Sequence, residues 1–165
     1  SRHVQVTDMA LERAKRMAEQ GEDVVLFVDS LSRLARASHA STPAGGKLMS
    51  SVVDISALQC VRKVFGAART LEEGGSLTIF ATLLTGSVFD DAVAEDVLAA
   101  ANGILQLDSA LEQRGFHPAL NLWESSTAAR EGFLTEAELE AVKTLRSGLK
   151  GEAQVDLEEA IQVKD

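Results

Sequence analysis

The chain has 165 residues, of which 45% are hydrophobic and 25% charged, a balance typical of a globular domain large enough to bury a core. No apolar run approaches the ~18 residues of a membrane-spanning helix, and no secretory signal is recognisable, so the sequence predicts neither membrane insertion nor export. The net charge of −9 argues against a broad phosphate-binding surface and would confine any contact with nucleic acid to a few residues on one loop.

A helix and a buried strand are the first predicted elements. Residues 4–20 have the amphipathic spacing of a helix, with Met9 and Leu11 assigned to its apolar face, and Gly21 is suited to cap its carboxyl end. Five apolar residues follow at 24–28. A short, wholly apolar run rich in β-branched residues predicts a strand buried on both faces, as in a parallel sheet under helices.

Asp29 stands directly at the carboxyl end of that strand. Open α/β sheets bind ligands outside the carboxyl ends of their strands, so the carboxylate is expected to face such a crevice. This is the Walker B arrangement of phosphate-loop ATPases, whose aspartate holds the hydrated Mg²⁺ that bridges the β- and γ-phosphates of ATP. The alternative is that Asp29 only caps the helix predicted at residues 30–40, since aspartate is a favoured N-cap residue. The local residues leave both interpretations open.

A loop rich in glycine, serine and proline, residues 41–51, carries Lys47 after two glycines. One interpretation is a solvated surface lysine on a flexible connector. The other is a lysine that a glycine hinge presents to an anion such as a phosphodiester. The adjacent Leu48 and Met49 would be unusual on a solvent-exposed loop that makes no contacts, and they favour a contact surface.

A second buried strand is predicted at residues 76–84, after a helix over 54–69 that Asp54 would cap. It ends in Thr85-Gly86-Ser87, which in a parallel sheet would lie at the same edge as Asp29. The remaining predicted elements are a helix at 89–101, a short strand at 104–107, a helical turn at 108–114, a strand at 116–123, a polar loop with Arg130 at 124–131, a helix from a capping box at Thr135 to about 149, and a helix at 157–163.

Several short runs, dense from residue 1 to about 91 and sparser to about 149, carry a resemblance to a known family. They are Ser1–Val6, Leu11–Arg16, Asp23–Ser30, Arg33–Ala37, Pro43-Ala44, Gly46-Lys47, Val53-Asp54, Ala57-Leu58, Phe65–Arg69 and Glu72–Ile79. On these runs the chain resembles the carboxyl-terminal ATPase domain of the bacterial transcription termination factor Rho. The stretch from Phe65 to Ile79 is highly specific, and with the Lys47 loop it disfavours a recombinase or a rotary-ATPase-type subunit.

The resemblance implies an α/β, RecA-like (P-loop NTPase) three-layer fold with a mainly parallel central sheet, incomplete at its amino-terminal side. Residues 1–165 would be one partial ATPase domain, because no stretch matches the Walker A sequence G-x-x-x-x-G-K-[ST] and the amino-terminal RNA-binding domain is absent. The implied activity is ATP- and Mg²⁺-dependent translocation of a hexameric ring along single-stranded RNA, ending in transcript release from RNA polymerase. The lone Cys60 fits the reducing cytoplasm that this implies.

The resemblance also assigns roles to residues. Asp29 corresponds to the Walker B aspartate, which contacts Mg²⁺ through water, and Lys47 to the pore-loop lysine that contacts the RNA backbone. A few such contacts per subunit, repeated around a ring, would let an acidic chain hold RNA. Arg130, which ends the segment 125–130, is the candidate for the family's interfacial arginine. Such an arginine stabilises a transferring phosphate and is worth on the order of a thousandfold or more in rate.

Departures from the family pattern keep a second hypothesis open. The second pore loop, roughly Phe-Lys-Gly-Thr-Gly-Asn in the family, is here residues 97–102, with Leu98 in place of the lysine. The family's phosphate-binding loop and catalytic glutamate would lie upstream of this chain, which alone is therefore expected not to hydrolyse ATP. Asp29 and Lys47 favour a piece of an active RNA translocase. Leu98 and the altered sequence before Arg130 favour a degenerate, inactive paralogue that serves as a ring subunit or regulatory binding partner.

Overall fold

The computed structural model of the chain describes residues 2–41, 53, 55–128 and 132–148. The chain divides into two compact units, Ser1–Ala100 and Ala101–Asp165. The first unit contains the helices α1 (Arg2–Glu19), α2 (Leu31–His39), α3 (Ile55–Phe65) and α4 (Val88–Leu98) and the strands β1 (Asp23–Val28), β2 (Arg69–Thr70) and β3 (Ser76–Ala81). No helix among the described residues is long and apolar enough to cross a membrane.

The sheet of the first unit is built on the parallel pair β1 and β3. Their register runs from Asp23 opposite Ser76 to Val28 opposite Ala81, so the prediction that the two apolar runs lie side by side in the same direction is confirmed. The short strand β2 pairs antiparallel with β3, which gives the order β1-β3-β2 in the described part of the sheet. The sequence did not predict β2, because Arg69 is the last residue of the helix predicted over 54–69 and Thr70 lies between that helix and the next predicted strand. That helix, α3, ends at Phe65 instead.

The core of the first unit lies between one face of the sheet and its helices. Val24, Leu26 and Val28 of β1 face this layer and pack against it, because alternate residues of a strand point to the same side. The buried apolar residues of the layer come from all four helices and include Leu11, Leu31, Leu34, Ala57, Val61, Val64, Val93 and Val97.

The opposite face of the sheet is exposed in the described part of the chain. The Phe27 side chain is 75% exposed and stacks on Phe80, with the ring centroids 5.5 Å apart. Val25 is also more than half exposed. The prediction of a strand buried on both faces is therefore wrong for these residues, because α1 to α4 share a single core cluster on the other face.

A close backbone contact joins the β2–β3 turn to the end of α1. The N–H of Gly75 donates to the carbonyl of Ala18 at 2.8 Å. A Cβ atom at position 75 would lie 1.9 Å from the carbonyl oxygen of Glu22, so only glycine fits here. At the end of α1, Gly21 has a φ of +94° and is the predicted helix-terminating residue.

The second unit contains less regular structure. Its described elements are β4 (Gly103–Ile104), α5 (Ser109–Gln113), β5 (Ser126–Thr127) and α6 (Glu136–Gly148), with β4 antiparallel to β5. The predicted capping box is confirmed: Thr135 donates from its N–H to Glu138 Oε2 at 2.8 Å, and the N–H of Glu138 contacts Thr135 Oγ1 at 3.4 Å. The helix predicted at 157–163 lies outside the described residues.

The strand predicted at 116–123 is wrong. The described residues form only an isolated bridge there, between Leu107 and Leu120. Asn121 explains the difference, because its Oδ1 accepts hydrogen bonds from the N–H groups of Trp123 and Glu124, both at 3.1 Å. Such local side-chain contacts compete with strand pairing, and Pro118 has no N–H to give to a ladder.

The apolar stripe of α1 yields a test of the fold. Leu11 is fully buried, whereas Met9 is 74% exposed, contrary to its predicted placement, because the two residues lie about 200° apart around the helix. We expect Leu11→Ala to lower the free energy of unfolding by about 2–5 kcal/mol and the control Met9→Ala to change it by less than about 0.5 kcal/mol. Urea unfolding followed by circular dichroism measures both, and equal losses would contradict the packing.

Candidate functional site

Asp29 lies at the rim where the parallel strands end. It follows β1 directly and its side chain is exposed. The N-cap of α2 is Ser30, whose Oγ accepts a hydrogen bond from the backbone N–H of Arg33 at 3.2 Å. Asp29 is therefore not the helix cap, and its carboxylate stands at the edge of the sheet where α/β proteins bind ligands.

Thr82 holds one oxygen of this carboxylate. Its Oγ1 donates a hydrogen bond to Asp29 Oδ1 over 2.7 Å. Two backbone hydrogen bonds fix Thr82 itself: its N–H donates to the carbonyl of Val28 at 3.0 Å, and its carbonyl accepts from the N–H of Leu31 at 3.1 Å. The two strand ends are thus joined by both backbone and side chain.

The sequence predicts Thr85-Gly86-Ser87 as the polar neighbours of Asp29, and the structure gives the direct contact to Thr82. The sequence carries no signal for Thr82, because the contact depends on the register of the two strands. Because Val28 pairs with Ala81, the next residue of each strand meets the other. Ser87 instead becomes the N-cap of α4, where its side chain accepts from the N–H of Asp90.

A second polar cluster joins α2 to the start of α4. Arg36 donates from Nη2 to Asp90 Oδ2 at 2.5 Å and from Nε to Oδ1 at 3.1 Å. Ser87 Oγ donates to the same carboxylate at 2.6 Å. The guanidinium group also lies over the ring of Phe89, 5.3 Å from its centroid. The helix that begins beside Asp29 is therefore fixed to the helix that follows Thr82.

The buried carboxylate of Asp90 is held in its charged form. Hydrogen bonds from the Arg36 guanidinium and then from the Ser87 hydroxyl lower the pKa of Asp90 below its usual value of 3.8, against the opposing effect of burial. The Arg36 side chain is about half exposed, so solvent screens part of this attraction.

An open cleft of about 490 Å³ lies beside Asp29, between the first turns of α1 and α2. It is lined by Arg2, His3, Val6, Thr7, Val28, Asp29, Ser30, Arg33 and Leu34. Arg2 and Arg33 are exposed and have no ion pair among the described residues. Guanidinium groups next to a carboxylate suit a ligand that carries phosphate together with a cation.

The donor set at Asp29 fits a hydrated magnesium ion. Mg²⁺ usually keeps several waters and is held by one or two carboxylates together with substrate phosphates. Thr82 occupies Oδ1 of Asp29, and Oδ2 has no hydrogen bond from any other described residue. Within the described ranges no three His, Cys, Asp or Glu side chains converge as a closed metal site would need. Among the described residues that line the cleft, Asp29 is the one carboxylate.

The other predicted site residues are distributed differently. Lys47 and Arg130 lie outside the described residues. Leu98 is the last residue of α4 and is partly exposed, whereas Val97 is buried in the core. The segment 97–102, which the resemblance aligns with the family's second pore loop, therefore begins inside α4, in agreement with the helix predicted at 89–101.

Sequence comparison identifies the family to which this arrangement belongs. Residues 2–127 match the nucleotide-binding domain of the ATP synthase alpha/beta family. The chain belongs to this family. Among curated proteins, it is 44% identical over 165 residues to the transcription termination factor Rho of Borreliella burgdorferi and 42% identical over 166 residues to that of Chromobacterium violaceum, with 99% of the chain covered in both. The resemblance to the Rho ATPase domain is confirmed.

Family membership also fixes the fold class. A solved structure described as a prototypical ATPase from the type III secretion system of pathogenic bacteria matches with a TM-score of 0.76 and 22% identity, covering 87% of this chain and 42% of that one. At this identity the match shows the fold alone, and it confirms the predicted α/β P-loop class. The chain spans 32% of the Borreliella Rho and 40% of the Chromobacterium Rho.

The Asp90 cluster makes stability depend on pH. Because the folded pKa of Asp90 is lowered, its stabilisation is present above the unfolded value near 3.8 and is lost as the pH falls through the folded value. We expect the parent chain to be more stable than Asp90→Asn at about pH 6 and the difference to shrink below about pH 4. Urea unfolding across this range measures the effect, with Glu95→Gln on the exposed side of α4 as the control. A difference independent of pH would contradict the ion pair.

Proposed function

We propose that the chain is part of an ATP-dependent RNA translocase that terminates transcription in the cytoplasm. The observation that carries this proposal is the exposed Asp29 carboxylate at the carboxyl edge of a parallel strand pair, beside a cleft with two arginines. The 42–44% identity to two Rho proteins over 99% of the chain supports the same function. The proposed partners are single-stranded RNA, further copies of the subunit in a hexameric ring, and the RNA polymerase elongation complex.

In the proposed site, Asp29 would hold a hydrated Mg²⁺ by accepting hydrogen bonds from its waters at Oδ2. The ion, when bound with ATP, would supply charge neutralisation at the transferring phosphate. Arg2 and Arg33 give the adjacent cleft positive charge that suits phosphate oxygens. Arg130 is the proposed arginine at the neighbouring active site of the ring, where it would stabilise the same phosphate.

Lys47 is the proposed RNA contact. The net charge of −9 requires that phosphate binding be local, and one lysine per subunit repeated around a ring meets that requirement. A non-catalytic ring subunit is the second candidate, and Leu98 favours it, because an apolar residue at the end of α4 cannot pair with phosphate. A Gly-Lys-[Ser/Thr] loop upstream in the full-length protein would decide between the two.

Substitution of Asp29 tests the ATPase site. In the full-length protein that carries this chain, we expect Asp29→Asn to lower Mg²⁺-dependent ATP turnover by about 100-fold or more, because cation-based stabilisation of the transition state amounts to several kcal/mol. Asp23→Asn is the matched control, since Asp23 lies at the opposite end of the same strand and contacts Ser76. Steady-state phosphate release measures both, and unchanged turnover in Asp29→Asn would remove this residue from the site.

Substitution of Lys47 tests the RNA contact separately. We expect Lys47→Ala to reduce RNA-stimulated ATP turnover, to leave nucleotide binding without RNA intact, and to lower the salt dependence of RNA binding by about one phosphate contact per lysine lost. Lys15→Ala is the control, because Lys15 pairs with Glu12 on the surface of α1. Equal losses with and without RNA would indicate a structural lysine.

A further inference from the structure

We propose that Thr82 is a positioning residue for the Asp29 carboxylate and thereby sets the affinity of the site for its divalent cation. This inference rests on the proposed ATPase function. The Thr82 hydroxyl donates to Oδ1 of Asp29 at 2.7 Å, and among the described residues it is the hydrogen-bond donor to that carboxylate. The two carboxylate oxygens would then have separate roles: Oδ1 is held by Thr82, and Oδ2 would accept a hydrogen bond from a cation-bound water.

The carboxylate needs such a partner because its terminal torsion is soft. Rotation of an aspartate about χ2 has broad, roughly two-fold preferences, and Asp29 is exposed, so burial does not fix its orientation. A hydrated Mg²⁺ requires near-ideal octahedral geometry. An outer hydrogen bond that orients a metal-ligating carboxylate is typically worth about 10–100-fold in metal affinity or activity, and the same orienting effect applies to Asp29, which would act through a bound water.

The backbone around Thr82 is fixed independently of its hydroxyl. Its N–H and carbonyl bind Val28 and Leu31. Two residues further on, the N–H of Leu84 donates to Oγ of Ser32 at 2.9 Å, and Ser32 is fully buried. The connection after β3 is therefore held to the end of β1 and to the start of α2 by contacts that do not involve the Thr82 hydroxyl. Thr82→Val, which keeps the β-branched shape, removes the hydroxyl alone.

Three variants of the full-length protein distinguish a role of Thr82 in positioning the Asp29 carboxylate from a role in the stability of the fold. Thr82→Val removes the donor, Thr82→Ser keeps it, and Thr78→Val makes the same chemical change four residues earlier on β3, at an exposed position. The readouts are Mn²⁺ affinity by electron paramagnetic resonance with a non-hydrolysable ATP analogue, and the Mg²⁺ concentration for half-maximal turnover. Asp29→Asn is measured in parallel.

We expect Thr82→Val to weaken Mn²⁺ binding and raise the Mg²⁺ requirement by about 10-fold or more, while Thr82→Ser and Thr78→Val remain within about twofold of the parent protein by the same measure. Turnover at saturating Mg²⁺ should be lowered less than the apparent affinity. Equal behaviour of Thr82→Val and Thr78→Val would overturn the role of Thr82, as would an equal loss in Thr82→Ser. If Asp29→Asn also leaves Mn²⁺ binding unchanged, the proposed site itself is overturned.

Discussion

The parallel register between β1 and β3 is the constraint on which the rest of the first unit depends. It places Val28 opposite Ala81, so that Asp29 and Thr82 emerge side by side from the same edge of the sheet. A shift of one residue would turn every side chain of one strand to the other face, burying Phe27 and expelling Leu26. The polar contacts between the segments that follow β1 and β3, including the one between Ser32 and Leu84, all depend on this register.

The same register also determines where the helices that follow the two strands begin. Because α2 begins immediately after Asp29, and α4 follows the connection after β3, the strand pairing also brings Arg36 to Asp90. The α3 helix is tied to α4 in the same way through the ion pair between Arg62 and Asp96. The helices and strands around Asp29 are therefore held in position by several independent contacts.

Much of this arrangement could be predicted from residue order alone. Amphipathic spacing and helical composition located α1 to α4, continuous apolar runs located both long strands, and the acidic residue at a strand end located the rim. The sequence could not show which hydroxyl contacts Asp29, because that depends on register between segments about fifty residues apart. It also could not show that one sheet face is open, since a continuous apolar run is the same whether its second face is covered or not.

The second unit was predicted less well because its strands are very short and its loops are held by local hydrogen bonds. Its strands β4 and β5 have two residues each, too few for any alternation to be visible. Asn121 forms hydrogen bonds within its own neighbourhood that no hydrophobic pattern records. By contrast, the capping box at Thr135 was predicted correctly because the motif is itself local and depends only on residues three apart.

The stacked rings of Phe27 and Phe80 bear on how self-association of these 165 residues should be interpreted. An apolar patch of this kind adheres to other apolar surfaces, including its own copy. A large particle size in a solution of the isolated polypeptide could then arise from aggregation through this patch as readily as from assembly into a closed ring. Only symmetry, seen directly in images of single particles, would distinguish a closed assembly from an open-ended aggregate.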